Sequence, residues 1–344
     1  MLIARAPLRV SLAGGGTNLA AYYEQHEGAV LSTTIDKFFY VFLSPSDGSH
    51  IQVSSSDYRT FYRQKFDEPT LWDGDLRLPK AVIDHFGIHT GLSVFLASQV
   101  PPGTGLGSSS TVAVALVKAM SVLSGKRLTA REIAELACFI EIDKLKMPIG
   151  KQDQYAAAFG GLNFFRFRRG GVEVEPLDPG PEVLAALEQR LMLFFTGMWH
   201  DSGEILEEQR KNSLAAAVER LDSIKATAEA MRDDLRRGDI SRIGEHLHQS
   251  WLAKRGLASG ITRPAIDGWY DLARAAGAAG GKIAGAGGGG FLLLYCEPEH
   301  QEQVTQRLGA AGLARMDFRF ESGGAMVIMN NLVGDAAPAW SLVG

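Results

Sequence analysis

Three glycine clusters and one pair of carboxylates are the places where this sequence could do chemistry. The clusters are Gly14-Gly15-Gly16-Thr17-Asn18, the run Pro101-Pro102-Gly103-Thr104-Gly105-Leu106-Gly107-Ser108-Ser109-Ser110-Thr111, and Gly280-Gly281-Lys282-Ile283-Ala284-Gly285-Ala286-Gly287-Gly288-Gly289-Gly290. In the second, glycines at 103, 105 and 107 allow positive φ and let main-chain N–H groups converge with no Cβ in the way. The run then enters a hydroxyl-rich first helical turn. A helix start offers unpaired N–H donors and a partial positive charge, so it can seat an anion. Ser108 or Ser109 could add a hydroxyl donor, or an oxygen ligand for Mg²⁺. On the residues alone, a tight strand-to-helix turn with serine caps reads equally well.

Glu141 and Asp153 bracket the segment E-I-D-K-L-K-M-P-I-G-K-Q-D, in which Pro148 and Gly150 interrupt any helix. Asp153 falls in the first turn of the next expected helix (151–159), where the dipole favours its anionic form. A carboxylate there could take a proton from an alcohol, a contribution worth about 10²–10⁴-fold. Lys151 could neutralise a transferring phosphate or hold Asp153 charged. The bland alternative makes Asp153 a helix cap and Glu141 a solvated face residue.

These groups need elements to hold them. Short β-like runs dominate the first hundred residues, at 2–13, 29–43, 50–54 and 92–98, and helical patterns follow at 110–123 and 129–143. The second of these helices carries the cap signature T-x-x-E at Thr129 and Glu132. A hairpin is expected over 160–174, a strand over 187–196, and helices over 202–237, 240–258, 264–276 and 299–311. The Gly-dense run 280–290 reads as a loop, followed by strands at 291–296, 316–321 and 325–329. Pro176, Pro179, Gly180 and Pro181 mark a boundary, giving expected domains 1–180 and 181–344.

The composition limits the function classes. Of 344 residues, 46% are apolar and 22% charged, and the net charge is −4. This is ordinary globular composition, with no basic excess to suggest nucleic acid or an acidic membrane as partner. The most continuous apolar stretch, 111–123, includes Lys118 and falls well short of the roughly 20 residues that cross a bilayer. The start has Arg5 and Arg9 inside its apolar stretch, unlike a secretory signal. Cys138 and Cys296 sit in apolar runs, as buried thiols in a reducing compartment would. A cytoplasmic protein is expected, and a homodimer is among the open options. Two nucleotide motifs are excluded or weak. No Lys-Ser or Lys-Thr follows the second cluster, and the G-x-G-x-x-G from Gly285 to Gly290 precedes a strand instead of following one.

The three clusters in this order, with the acidic segment, resemble the GHMP kinases, the superfamily of galactokinase, homoserine kinase, mevalonate kinase and phosphomevalonate kinase. A-P-L-R-V-S-L-A-G-G-G-T-N (6–18), P-P-G-T-G-L-G-S-S-S (101–110) and G-K-I-A-G-A-G-G-G-G (281–290) look like their three motifs. Within the superfamily, A-G-G-G-T, G-K-Q-D-Q-Y-A-A-A-F-G-G (150–161) and W-L-A-K-R-G-L (251–257) look most like the D-glycero-D-manno-heptose 7-phosphate kinase group. The resemblance implies a two-domain α/β (α+β) fold, with an N-terminal domain like ribosomal protein S5 and a ferredoxin-like C-terminal domain. It implies ATP and Mg²⁺ as cofactors and a sugar or sugar phosphate as substrate, with the γ-phosphate passing to the anomeric hydroxyl.

Carried over residue by residue, the resemblance makes Asp153 the catalytic aspartate and Arg9 the basic residue that stabilises the transferring phosphoryl. Ser109 and Glu141 become Mg²⁺ ligands, and Pro102 to Ser110 wrap the triphosphate. Gly15, Gly16, Thr17, Asn18, His200, Gly287 and Gly288 fall on the acceptor side. Two residues depart from the group's pattern. Asn18 stands where Asp is usual, and Trp199-His200 replaces a small residue followed by Arg. An amide at 18 can still bond a sugar hydroxyl but brings no charge.

Overall fold

The computed structural model describes residues 1–46, 48–56, 59–65, 74–88, 90–199, 205 and 215–332. Its first sheet is organised by two long strands, β1 (Leu2–Ala13) and the 18-residue β2 (Gly28–Pro45). The β1 residues are alternately apolar, yet nearly all are buried because the strand has protein on both faces. Opposite Pro7 and Leu8 the pairing skips from Phe38 to Ile35, a bulge that redirects the strand. Before it, Leu2, Ala4 and Ala6 face a core shared with the helices of the first half. After it, Leu8, Val10 and Leu12 join a second core with Leu193, Leu247 and Phe291. Each leucine, valine or phenylalanine among them contributes about 1.5–3 kcal/mol by leaving water. With Leu8, Val10 and Leu12 committed there, Arg9 and Ser11 share the opposite face.

β3 (His50–Ser55), β4 (Thr60–Lys65) and β5 (Leu92–Ser98) follow along the chain. They extend the sheet in the order β1-β2-β5-β3-β4, with β3 parallel to β5. A hairpin of β6 (Leu162–Arg168) and β7 (Gly171–Pro176) pairs with the first half of β2.

Helices lie against this sheet. The 16-residue α3 (Ser108–Leu123) is buried along most of its length, after α1 (Ala20–His26) and α2 (Arg77–His85). The short α4 (Ala130–Cys138) runs directly into a π-helical turn, Phe139–Lys144, and α5 (Gln152–Phe159) comes next. The capping box expected at Thr129 is present: its hydroxyl accepts from the Glu132 N–H at 3.2 Å, and Glu132 accepts from the Thr129 N–H at 2.7 Å. A π turn adds a residue to the helical ladder and often marks a functional position. Glu141 sits in this one.

The second half builds its own antiparallel sheet in the order β11-β8-β10-β9. The expected strand over 187–196 divides into α6 (Pro181–Arg190), with Pro at its first turn, and the shorter β8 (Leu191–Phe195). Of the helix expected over 202–237, α7 (Ala215–Arg236) is described and most of what precedes it lies outside the described residues. The helices α8 (Ile243–Arg255) and α9 (Pro264–Ala275) then lead to β9 (Ala278–Ile283), so the first residues of the Gly-dense run are strand, not loop. After β10 (Phe291–Cys296) and α10 (Pro298–Ala310), the strand expected over 316–321 is displaced to β11 (Ala314–Met316). The last strand, β12 (Met326–Asn330), pairs with β1. β12, which falls within the expected second domain 181–344, is thus part of the first sheet. The fold is a mixed α/β structure of two sheets with helices packed on both. No described helix is long and apolar enough to cross a membrane.

Candidate active site

A cleft of about 710 Å³ opens where the three glycine clusters converge, between the end of β1, the start of α3, the loop before α5 and the end of α8. Its chemical centre is an ion pair. The Arg9 guanidinium donates to both carboxylate oxygens of Asp153, at 2.8 and 2.7 Å, and a third N–H reaches the Gly105 carbonyl at 2.5 Å. The Arg9 main-chain N–H donates to the Leu106 carbonyl at 3.1 Å. One residue of β1 thus fastens the second glycine loop and orients the carboxylate. The two-point geometry is the strong form of an arginine–carboxylate contact.

The second loop turns into α3 through Gly107, whose φ is +80°. Its φ calls for glycine, and a Cβ at 107 would also crowd the Arg9 side chain and an Asp153 oxygen, each 3.3 Å away. Gly105, at φ +83°, packs so closely on the third cluster that a Cβ would lie 2.4 Å from the Ala284 carbonyl. Among the described residues no side chain caps α3. Its first N–H groups, with Ser108, Ser109 and Ser110, border the cleft. That arrangement favours the anion-seat reading over the serine-capped turn.

Lys254, within the W-L-A-K-R-G-L segment, joins the cleft although the sequence gives it no role there. It lies at the end of a buried α8 face formed by Leu247, Ser250 and Trp251, at i, i+3, i+4 and i+7. A lysine closing such a stripe is the signal that could have found it. It reaches the cleft wall, donates to the Gly285 carbonyl, and stands 3.9 Å from where a Gly15 Cβ would be. Burial, helped by the Arg9 charge and opposed by Asp153, brings its ammonium down to about 8. Lys151, by contrast, is turned away. Its Nζ lies 5.7 Å from the centre of the Tyr23 ring, and it does not line the cleft. The expected cation from position 151 is therefore not at the centre.

The expected metal ligands differ in burial. Glu141 is fully buried and accepts from Ser110 Oγ at 3.1 Å and Gln154 Nε2 at 2.6 Å. Its partner is Ser110 and not Ser109, because successive helical residues point about 100° apart. Ser110 faces the interior while Ser109 is exposed to the cleft. Burial pushes the Glu141 carboxyl up to about 8 against the lowering effect of those two hydrogen bonds. The donor set is all oxygen, a carboxylate with hydroxyls beside it, and that chemistry suits a hard divalent ion. Among the described residues no three His, Cys, Asp or Glu side chains gather to hold a metal by themselves.

Other expected residues divide between wall and scaffold. Gly15, Gly16, Asn18, Pro102 and Gly103 line the cleft. Thr17 does not: its buried hydroxyl donates to the Gly14 and Ala29 carbonyls, at 2.8 and 2.9 Å, and holds the first loop closed. Thr104 bonds the Pro101 carbonyl at 2.9 Å, and Leu106 is core. Gly287 and Gly288 pack against Ile261 instead of lining the cleft, where Gly285 and Ala286 take their place. Asn18 accepts from the Gly16 N–H at 3.1 Å and packs on Gly150. Trp199 lines the cleft while remaining 59% exposed, and His200 lies outside the described residues.

Comparison with known proteins agrees with this layout. Residues 77–161 match the GHMP kinases N terminal domain and residues 231–314 the GHMP kinases C terminal domain. The chain is 32% identical over 334 residues to D-glycero-alpha-D-manno-heptose 7-phosphate kinase from Campylobacter jejuni, covering 93% of this chain and 96% of that protein. Two crystal structures superpose over nearly the whole chain. One is a D-glycero-D-manno-heptose 1-phosphate kinase from Bacteroides thetaiotaomicron, with a TM-score of 0.80 and 28% identity, covering 96% of this chain and 99% of that one. The other is a putative sugar kinase from Campylobacter jejuni, with a TM-score of 0.79 and 31% identity, covering 95% and 97%. On this identity and coverage, with both domains matched, the chain belongs to the GHMP kinases.

Proposed function

We propose that the protein is an ATP- and Mg²⁺-dependent sugar kinase whose acceptor is D-glycero-D-manno-heptose 7-phosphate, phosphorylated at the anomeric hydroxyl. The observation that carries this reading is the contact of Asp153, held by Arg9, with the uncapped start of α3. A polyphosphate bound by the α3 N–H groups and the loop 102–110 would present its terminal group beside a carboxylate that can accept a hydroxyl proton. Phosphoryl transfer depends mainly on positioning and charge neutralisation, and both are supplied here by fixed groups. Mg²⁺, when bound, would draw on the oxygens of Glu141 and Ser109 and neutralise polyphosphate charge. Arg9 holds the Asp153 carboxylate in place through two hydrogen bonds.

The acceptor assignment rests on the likeness to the Campylobacter jejuni enzyme. Gly15, Gly16, Asn18 and Trp199 would form the acceptor side, with the half-exposed Trp199 ring offering a face to a sugar. A screen for ADP release over free and phosphorylated heptoses and hexoses tests the proposal, with phosphorus NMR locating the new ester. Turnover of heptose 7-phosphate to an anomeric phosphate is expected. Preference for a free hexose, or an ester at another carbon, would overturn the acceptor while leaving the kinase reading in place.

A further inference from the structure

The reacting centre holds one more positive charge than its visible partners balance. Arg9 and Asp153 neutralise each other through two short hydrogen bonds. Lys254, 5% exposed, stands within electrostatic reach of both, and the described residues give its three N–H donors a single acceptor, the Gly285 carbonyl. A second observation points to the same spot. Ser11 Oγ is buried, lines the cleft, and has no hydrogen-bond partner among the described residues. Ser11 Oγ and Lys254 Nζ each lie 3.9 Å from the place where a Gly15 Cβ would be, so they border one small space that glycine leaves open.

An unpartnered buried hydroxyl and an under-used buried ammonium around one space are costly unless a ligand oxygen completes them. The charge decides which oxygen. A neutral sugar hydroxyl would leave the ammonium uncompensated, whereas a phosphate oxygen would balance it. We propose that Lys254, assisted by Ser11, forms a phosphate-oxygen site in the cleft beside Arg9 and Asp153. This rests on the kinase reading above. Its two sources of phosphate are the terminal group of the nucleotide and the ester already on the acceptor. Burial lowers the Lys254 ammonium to about 8, which fits a charge whose counter-ion is a ligand oxygen.

Lys254→Met keeps the length of the side chain and removes the charge, and Ser11→Ala removes only the hydroxyl. Calorimetric titration of each full-length variant with AMPPNP and with ADP reads the nucleotide arm. If the site holds the terminal phosphate, Lys254→Met weakens AMPPNP by roughly 10–100-fold, the span of a hydrogen bond to a charged group, and leaves ADP unchanged. If it holds the acceptor's ester, the AMPPNP-to-ADP ratio stays constant and KM rises for heptose 7-phosphate but not for free heptose. Ser11→Ala shifts the same quantity in the same direction by less. The site is overturned if neither arm moves in a Lys254→Met protein whose thermal unfolding is cooperative. Failure of the kinase reading looks different, because wild type would then bind neither nucleotide nor turn over any sugar. Inorganic pyrophosphate titrated into wild type and Lys254→Met would still judge the site, with equal binding, or none by wild type, counting against it.

Discussion

Two helices start within about twenty residues of each other in the chain, and they treat their first N–H groups in opposite ways. At α4, Thr129 and Glu132 close a reciprocal box over the helix start. At α3, the N-cap is a left-handed glycine, no described side chain bonds back, and three serines border the cleft. The first arrangement completes the helix from its own sequence. The second leaves its first donors without a side-chain cap, next to Arg9 and Asp153, as the proposed phosphate seat requires. Local stability and function therefore draw on the same backbone groups, and a helix start can serve one or the other. This difference can be broken at either end.

The largest effect is expected at the carboxylate that faces the open helix. Asp153→Asn keeps the shape but cannot take up a proton, so kcat should fall by about 10²–10⁴-fold. Nucleotide affinity, measured by titration with AMPPNP, should be kept. If turnover stays within a small factor of wild type, Asp153 is not the group that receives the hydroxyl proton.

Gly107→Ala tests the open end itself. The new Cβ combines a φ of +80° with contacts of 3.3 Å to Arg9 and Asp153. The conformation alone costs about 1–2 kcal/mol. Nucleotide binding should weaken about tenfold or more by that measure, together with kcat, because the carboxylate is pushed from its place. A variant that binds AMPPNP and turns over like wild type would show that the approach of loop and ion pair is not needed.

A third test uses pH. Lys254 has a folded-state value of about 8 against an ordinary 10.5, so between those limits the unfolded chain binds more protons at this site. Stability should therefore rise with pH across that window, and lose this contribution as pH falls through 8. Arg9, Asp153 and Lys282 face the group, and Lys282, also lowered by burial, adds a slope of the same sign. The difference between wild type and Lys254→Met in denaturant melts from pH 7 to 10.5 isolates Lys254. Parallel curves would mean that its ammonium is not depressed.

The contrast between the two helices also explains what could be read in advance. The long strands, α3 and the capping box follow from local pattern, because alternation and cap residues are written in neighbouring residues, whereas the convergence of the three glycine clusters is legible only through the family resemblance. Lys151 and Lys254 show where that stops. Position 151 is two residues from Asp153 in the chain yet turns to Tyr23, while position 254 is a hundred residues away and reaches the cleft. Proximity in space at the centre is set by the packing of α8 on β9 and β1, which no local spacing encodes. The hydrogen bond from Ser110 to Glu141 is likewise a contact between distant segments, 31 residues apart in the chain.

The smallest effect belongs to the closed end. Thr129→Ala removes the hydroxyl that accepts from the Glu132 N–H and loosens the return contact from Glu132, at a site exposed to solvent. A lost cap of this kind costs about 1 kcal/mol, read as a lower midpoint in urea with an unchanged slope. Turnover and AMPPNP affinity should be those of wild type, because the α4 start does not line the cleft. That pairing of a stability loss with intact kinetics is the reverse of what Asp153→Asn should give. If Thr129→Ala lowered kcat as well, the two helix starts would be coupled through the π turn and Glu141, which follow α4 directly and lead back to Ser110 on α3.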